Sequence, residues 1–418
     1  GGFKVNAFKV RALMPLWVLL VAASAGALDA GLAVSQEAKA SSEASAGSSA
    51  SGNGDPVFFY SPVFAPWVSG VPGRSVSFYL SGSVTLEYEE DSWRTPLALP
   101  ELTRTELTWL PSPAVSFTLG RQHFADPSAL AASGLFDGLS AAFAAGGGRF
   151  TAGAYYTGLL YKHTADILMT DRDRAEHGEP FSLDEGYFAS RRLLVSLQWE
   201  HPGPGPASSL ALGLLGQGDL NGGESGGRLH SQYLSVRYGL RLPKDLSLEG
   251  AAVLGAGETG GDMTLFFAAS LGFGWDLPGS PDDTLSLRGV YSSPRTGDRL
   301  DSFVPVNALP QGQVFTPAIG GVSAVKLGYT LRPLRTLSLG AEGSYFIRTD
   351  TETFRDTRNT LTEGYFLGGE LFGAGSWTPL PDLALTFGGG AFFPRLGNAF
   401  ASDAEIRWKT ALRLILSL

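Results

Sequence analysis

The chain of 418 residues contains no cysteine. That absence excludes disulfides, thiolate metal sites and cysteine nucleophiles. Charged residues are scarce as well, at 17% of the chain against about 25% in typical soluble domains. The longest nearly apolar stretch covers residues 12–23, which is shorter than the roughly 20 residues of a membrane-spanning helix. A bundle of membrane helices is therefore excluded.

Glycine and apolar residues are abundant instead. The chain has 55 glycines, 44% hydrophobic residues and 11% aromatic residues. So many apolar residues exclude disorder for most of the chain. A net charge of -9 without any basic run also argues against a nucleic-acid partner. The composition favours a glycine-rich, all-β protein.

The N-terminal segment predicts export. Lys4, Lys9 and Arg11 precede LMPLWVLLVAASAGA, which ends in small residues. This order is typical of a signal peptide, predicted here over residues 1–27, with a buried N-terminal helix as the alternative. Residues 28–54 are rich in Ser, Ala and Gly and are predicted to form a flexible linker. Residues 55–73 are assigned to an N-terminal latch or plug.

Period-two alternation fills the remainder, residues 74–418. Apolar Val76, Phe78 and Leu80 alternate with polar Ser77 and Tyr79, and the pattern recurs to the last residue. Such alternation indicates strands with one apolar and one polar face. Many runs reach 10–14 residues, the length of a tilted strand that crosses a bilayer. Sixteen strands are predicted, near 74–90, 101–110, 113–122, 136–145, 148–161, 186–200, 207–217, 228–242, 245–256, 262–276, 283–293, 320–332, 335–348, 363–378, 382–394 and 402–418.

The connections between these strands alternate strictly between short and long. Short, mostly proline-marked turns include LPSPA (110–114) and TPLPD (378–382), whereas residues 162–185 and 294–319 form long polar connections. This alternation is typical of outer-membrane barrels, with short periplasmic turns and long outer loops. The sequence therefore predicts an all-β, transmembrane antiparallel β-barrel of about 16 strands, with 18 possible. The barrel would be integral to the cell outer membrane, with periplasmic termini.

Tryptophan placement supports the same prediction. Four tryptophans come two or three residues before the proline of a short turn. Amphipathic rings at one membrane boundary form an aromatic girdle, whereas the alternative is tryptophan at the edge of a soluble core. The predicted girdle residues are Trp109, Trp199, Trp275 and Trp377.

Three segments resemble the alginate-export family of outer-membrane porins: GRQHF (120–124), LFDGLSAAF (135–143) and YFLGGELFGAGSWTPLPDLALTFGGGAFFP (365–394). The resemblance implies a monomeric barrel that exports or admits an anionic or polar solute. It also implies an arginine-lined lumen and a barrel of eighteen strands, two more than the sixteen counted from alternation.

Catalytic and metal-binding patterns are weak. None of the five histidines has metal-ligand spacing with another histidine or a glutamate. Asp171 and Asp173 form a DxD pattern that could bind Ca²⁺, although a solvated acidic loop is the preferred interpretation. His123, Asp126 and Asp137 form the only local cluster, which chance proximity explains. No enzyme activity, cofactor or metal site is predicted.

The polar strand face gives the candidate site. Strand parity points nine bases inward against six acids (Glu87, Glu106, Glu200, Glu342, Glu370 and Glu405), and charged rings set pore selectivity. The alternative is salt bridging between strands. The predicted pore-lining residues are Arg104, Arg192, Arg237, Arg241, Arg288, Lys326, Arg407, Lys409 and Arg413.

Two functions remain open. The first is a porin for small polar or anionic solutes, with the outer-membrane bilayer and the barrel-assembly machinery as partners, acting as a monomer or homotrimer. The second is a structural or adhesin-like barrel with a plugged lumen and partner-binding outer loops.

Overall fold

The structure is a computed structural model. It describes residues 27–42, 56–89, 97–179, 186–203, 205, 207–221, 228–278, 282–296, 301–351, 354 and 361–418. The predicted signal peptide, apart from its last residue, lies outside the described residues, as does most of the second half of the predicted linker.

Eighteen antiparallel strands form one closed barrel. Each strand pairs with its neighbours in the chain, and β1 pairs with β18 to close the sheet. The strands are β1 Ala27–Ser41, β2 Val57–Gly73, β3 Val76–Glu89, β4 Leu97–Ser112, β5 Val115–Ala125, β6 Ser133–Ala145, β7 Gly148–Tyr156, β8 Arg192–His201, β9 Ser208–Asp219, β10 Leu229–Leu242, β11 Leu246–Thr259, β12 Asp262–Asp276, β13 Thr284–Ser292, β14 Val322–Leu334, β15 Leu337–Arg348, β16 Phe366–Leu380, β17 Leu383–Phe393 and β18 Arg407–Ser417.

Alternation sorts side chains between the two faces of the barrel wall. On β8, Leu193 and Val195 are 43% and 57% exposed on the outer face, whereas Arg192 and Leu194 are fully buried on the inner face. The same pattern recurs around the barrel and leaves a continuous set of exposed leucines outside. The predicted all-β barrel and its inside–outside parity are therefore confirmed.

The first two strands correct the sequence interpretation. Residues 27–41 form β1 rather than a flexible linker, and residues 57–73 form β2 rather than a latch or plug. β1 is rich in Ala and Ser, but it hydrogen-bonds to β2 on one edge and to β18 on the other. These ladders stabilise a segment whose composition, taken alone, is typical of a disordered linker. In β2, pairing with β3 is interrupted around Pro62 and Pro66. Proline cannot donate to a ladder, so these two residues made a strand hard to predict here.

Most predicted short turns are present. The β6–β7 turn, for example, uses Gly146 and Gly147 with φ of 58° and 79°, the left-handed conformation that tight hairpins need. Strict alternation of short and long connections is wrong at one place. β11 and β12 are joined by Gly260 and Gly261 alone, where a longer outer connection was expected.

The interior is packed at the end of the barrel that carries the long connections. One apolar cluster joins the walls of β5–β13 to residues such as Ile167, Phe303 and Ile319 from the long connections. A second cluster centres on Phe315, Phe346 and Phe392. The long connections thus fold into the barrel. Two short helices, α1 (Lys162–Ala165) and α2 (Asp171–Gly178), belong to this inner layer. None of the described helices is long and apolar enough to cross a membrane.

Candidate functional site

Arg192 on β8 faces inward but is enclosed. Its Nη2 donates to both carboxylate oxygens of Asp173 at 2.8 and 2.5 Å, and its Nη1 lies 2.8 Å from Asp219 Oδ2. Asp173 also closes a capping box with Thr170 at the start of α2. Arg192 therefore fastens α2 to the wall instead of lining an open path. The interpretation of the DxD segment as a solvated loop is wrong for Asp173, which is 1% exposed.

Arg407 on β18 is also buried, at 7% exposure. Its guanidinium carbon lies 5.3, 5.8 and 5.6 Å from the ring centroids of Phe315, Phe392 and Phe400. A cation over aromatic faces is attracted by the ring quadrupole. Arg407 thus belongs to the second apolar cluster.

Arg104 on β4 is exposed but bridged. Its Nε and Nη2 donate to the two carboxylate oxygens of Glu106, each at 2.7 Å. The guanidinium lies 5.0 Å from the ring centroid of Tyr79. This pair agrees with the alternative in which inward charges bridge along the wall.

Arg288 and Lys326 lie directly opposite each other on β13 and β14, halfway along the wall. Within the described part of the chain, neither has a carboxylate oxygen within 4.0 Å. Two adjacent cations without an acid at bonding distance form an attractive site for an anion.

Arg237 and Arg241 on β10 lie toward the short-turn end. Arg237 lines a cavity of about 470 Å³ together with Arg149 and Glu200. Arg149 is opposite Glu200 in the β7–β8 register. Arg149 is an inward base missing from the predicted set, although its alternation with the outward Phe150 indicates its orientation.

Lys409 and Arg413 on β18 face the same interior. Arg413 Nη2 donates to Ser35 Oγ at 3.4 Å. Arg413 also lines a cavity of about 520 Å³, shared with Glu37, Phe372 and the hydroxyls of Thr330, Ser338, Ser376 and Thr386.

The acid beside the last strand comes from β1, not from the strand that carries Glu87. Glu37 is opposite Arg413 in register and forms an ion pair of 3.0 Å with Lys39. Glu87, on β3, is not a neighbour of the last strand because β1 and β2 separate β18 from β3. Assigning β1 to a linker also concealed Lys39 and Glu37 as inward charges.

The connection between β13 and β14 enters the interior of the barrel. We call its residues 301–321 the inner loop. Its Val306 N–H donates to Ala131 O at 2.7 Å, and Asn307 exchanges two hydrogen bonds with the Ser133 backbone. The opposite part of the loop reaches Glu370 on β16. The loop therefore narrows the interior from the β5–β6 connection to β16.

Residues 161–177 form a second inner element. Lys162 Nζ donates to the carbonyls of Glu176 and Glu179 at 3.1 and 2.6 Å, and burial lowers its pKa. Burial, with the nearby His177 and Lys162, lowers the pKa of His163 to about 4. Burial also raises the pKa of Tyr161 to about 12. The element is thus held in a partly dehydrated setting that favours neutral side chains.

The remaining predicted residues are dispersed. Each girdle tryptophan lies near the short-turn end of its strand, and Trp109 and Trp377 are 48% and 43% exposed. Asp126 is buried and accepts from the N–H groups of the 128–132 turn, whereas Asp137 pairs with Arg121 at 2.8 Å. They form no joint site with His123. In the described ranges, no group of three His, Asp or Glu is arranged to hold a metal ion.

Comparisons with solved structures identify the fold. The chain is similar to Pseudomonas aeruginosa OccK2 (OpdF) in complex with glucuronate, with a TM-score of 0.60, 15% identity, and coverage of 94% of this chain and 98% of that one. It is also similar to P. aeruginosa OpdO (TM-score 0.60, 14% identity, 94% and 97% covered) and OccK5 (OpdH) (0.59, 9%, 94% and 98%). The chain shares the Occ barrel fold.

No protein-family model and no curated protein matches the sequence. The resemblance to the alginate-export family is therefore not supported, because the similar structures are Occ proteins. The eighteen strands that the resemblance implied are present.

Proposed function

We propose that the protein is an outer-membrane channel that passes small polar, anionic solutes through the barrel. The observation that supports this proposal most directly is a set of unpaired bases on the inner wall. Among the described residues, no carboxylate oxygen lies within 4.0 Å of Arg288, Lys326, Lys409 or Arg413. Cations that line a pore attract anions and set its selectivity. The proposal includes no catalytic step.

The outer face supports membrane insertion. Its exposed side chains include Leu197, Leu214, Leu254, Leu327 and Leu412, at 48–54% exposure. Apolar side chains on the outside of a closed barrel suit a bilayer, because no backbone edge remains unpaired in lipid. The four girdle tryptophans fit the interface at the short-turn end.

We further propose that the short turns face the periplasm after removal of a signal peptide. Ala27 and Leu418 both lie at the short-turn end. Insertion by the barrel-assembly machinery, as a monomer or homotrimer, belongs to this proposal. Surface labelling, on intact cells, of an epitope inserted in the β9–β10 connection (residues 220–228) would support the orientation. Labelling of an insertion at LPGSPDD (277–283) would contradict it.

A sugar acid is the first solute to test. The similar OccK2 was solved with glucuronate, and the cavity at Arg413 combines a guanidinium with several hydroxyls. In liposome swelling, we expect the purified protein to admit glucuronate faster than the cationic sugar glucosamine. Equal rates for both, or no swelling, would contradict the proposal.

One observation favours the adhesin-like alternative. The two apolar clusters fill much of the interior at the long-connection end. If they close the lumen completely, the protein will insert into bilayers without conducting ions. Single-channel recording therefore separates the two functions.

A further inference from the structure

The inner loop is held in the barrel by two different kinds of contact. On the side of the β5–β6 connection, Val306 and Asn307 bond to backbone groups of Ala131 and Ser133. On the β16 side, three consecutive loop N–H groups converge on one side chain, the carboxylate of Glu370. On this side, the backbone hydrogen bonds of residues 313–315 to the wall therefore converge on a single acidic residue.

The geometry at Glu370 is that of an anion bound by a backbone nest. Oε1 accepts from the N–H of Gln313 at 2.8 Å, and Oε2 accepts from the N–H groups of Val314 and Phe315 at 2.9 and 2.7 Å. Successive backbone N–H groups form concave anion sites, and hydrogen bonds to an ionised acceptor are about twice as strong as neutral ones.

The buried, aromatic surroundings of Glu370 increase its need for these three hydrogen bonds. Glu370 is 4% exposed and lies opposite Phe392 in the β16–β17 register. Phe315, the last donor, stacks on Phe392 with centroids 4.3 Å apart. A carboxylate among phenyl rings needs donors to replace its lost water, and here three loop amides donate to it. Loop and carboxylate thus stabilise each other.

Gly312 completes the nest. A Cβ at this position would lie 2.1 Å from Phe315 O and 3.0 Å from Glu370 Oε2. Any larger residue must therefore shift the loop backbone at Phe315, whose N–H donates to the carboxylate. This offers a way to disturb the contact without changing a charge.

We propose that Glu370 is a positioning residue that latches the inner loop across the lumen and so sets the width of the solute path. The effect on the solute path rests on the proposed channel function, whereas the contact between Glu370 and the inner loop does not. An acid in the wall of an anion channel would ordinarily repel the solute. Here the carboxylate instead accepts hydrogen bonds from the loop and holds it in place.

The test combines Glu370→Gln with Gly312→Ala and a matched control, Glu342→Gln. Glu342 lies on the inner face of the neighbouring strand β15 and accepts a hydrogen bond from Ser344. Hydrogen exchange of the peptide that covers residues 311–316 measures the latch directly. We expect exchange to be roughly tenfold faster or more in Glu370→Gln and in Gly312→Ala, given the strength of hydrogen bonds to charged groups. We expect wild-type exchange in Glu342→Gln.

Single-channel recording measures the consequence. The latch predicts larger mean conductance and more current noise in both Glu370→Gln and Gly312→Ala, and the loss of a charge cannot explain this shared effect because Gly312→Ala changes no charge. Wild-type exchange in both latch variants would overturn the proposal, as would equal acceleration in the control. If the wild type does not conduct but exchange still accelerates in both latch variants, the channel function fails while the latch stands.

Discussion

The two ends of the lumen use the same residue types differently. At the long-connection end, Arg192, Arg348 and Arg407 are buried and bound to the inner layer or its rings. Toward the short turns, Arg237 and Arg413 are open and line cavities. All five arginines lie on inward faces. The neighbours of each charge, rather than its parity, decide whether it fastens a loop or meets a solute.

The largest expected difference is in stability. Arg192→Ala leaves the buried carboxylates of Asp173 and Asp219 unpaired, which should cost about 3–5 kcal/mol. Arg413→Ala, the matched change at the open end, should leave the free energy of unfolding nearly unchanged. Urea unfolding in lipid vesicles, followed by tryptophan fluorescence, measures both. An equal loss in the free energy of unfolding for both variants would contradict the difference between the two ends.

The outer face provides the next largest effect. Leu327→Arg, halfway along the outer face of β14, places a charge in lipid near the midplane and should cost about 2–4 kcal/mol. Lys326→Leu, on the inner face one residue away, should be tolerated. The same unfolding assay applies. A destabilised Lys326→Leu together with a stable Leu327→Arg would reverse the assignment of faces.

Selectivity should respond mainly at the open end. The double change of Arg237 and Arg413 to Gln should lower the anion-to-cation permeability ratio roughly two- to fivefold, since a unit charge at 4 Å contributes about 1 kcal/mol in water. Arg104→Gln, which removes a bridged charge, should have a smaller effect. Reversal potentials in low salt measure the ratio, and the difference should fade near 1 M salt as screening grows. A larger change from Arg104→Gln would contradict the comparison.

The smallest effect is local and depends on pH. The folded-state pKa of His163, about 4, lies below its ordinary value of 6.5, so the opened segment binds more protons between these values. The stability of the 161–177 element is therefore complete above pH 6.5 and declines as pH falls toward 4. A spin label at Arg174→Cys, a single site in a cysteine-free chain, should become more mobile over this window.

His163→Gln provides the control for that titration. Its label should keep the same mobility between pH 6.5 and 4, because Gln does not titrate. If the transition persists in His163→Gln, the titration of His163 does not cause it.

Local alternation made most of the barrel predictable from sequence. Sixteen strands and the inside–outside parity follow from period two, which a strand in a closed barrel preserves along its whole length. β1 and β2 were missed because the small residues of β1 and the prolines of β2 hide that period. Their stability comes from ladders with β18 and β3, which only closure of the barrel supplies.

Whether an inward base is paired and buried or open to the lumen could not be predicted from the sequence. Parity placed Arg192 and Arg413 on the same inner face. Asp173, however, reaches Arg192 from a folded-in helix, and the rings around Arg407 come partly from the inner loop. These contacts join segments that are distant in the chain, so no local pattern indicates them. Glu370 was assigned inward, but its nest forms only when the loop enters the barrel.

The reversal potential of the wild-type protein in a planar bilayer tests the central claim most directly. Under a KCl gradient at low ionic strength, we predict stable single-channel currents whose reversal potential shows a preference for chloride over potassium. Cation preference, or insertion without any conductance, would contradict an anion path along the open, basic end of the lumen.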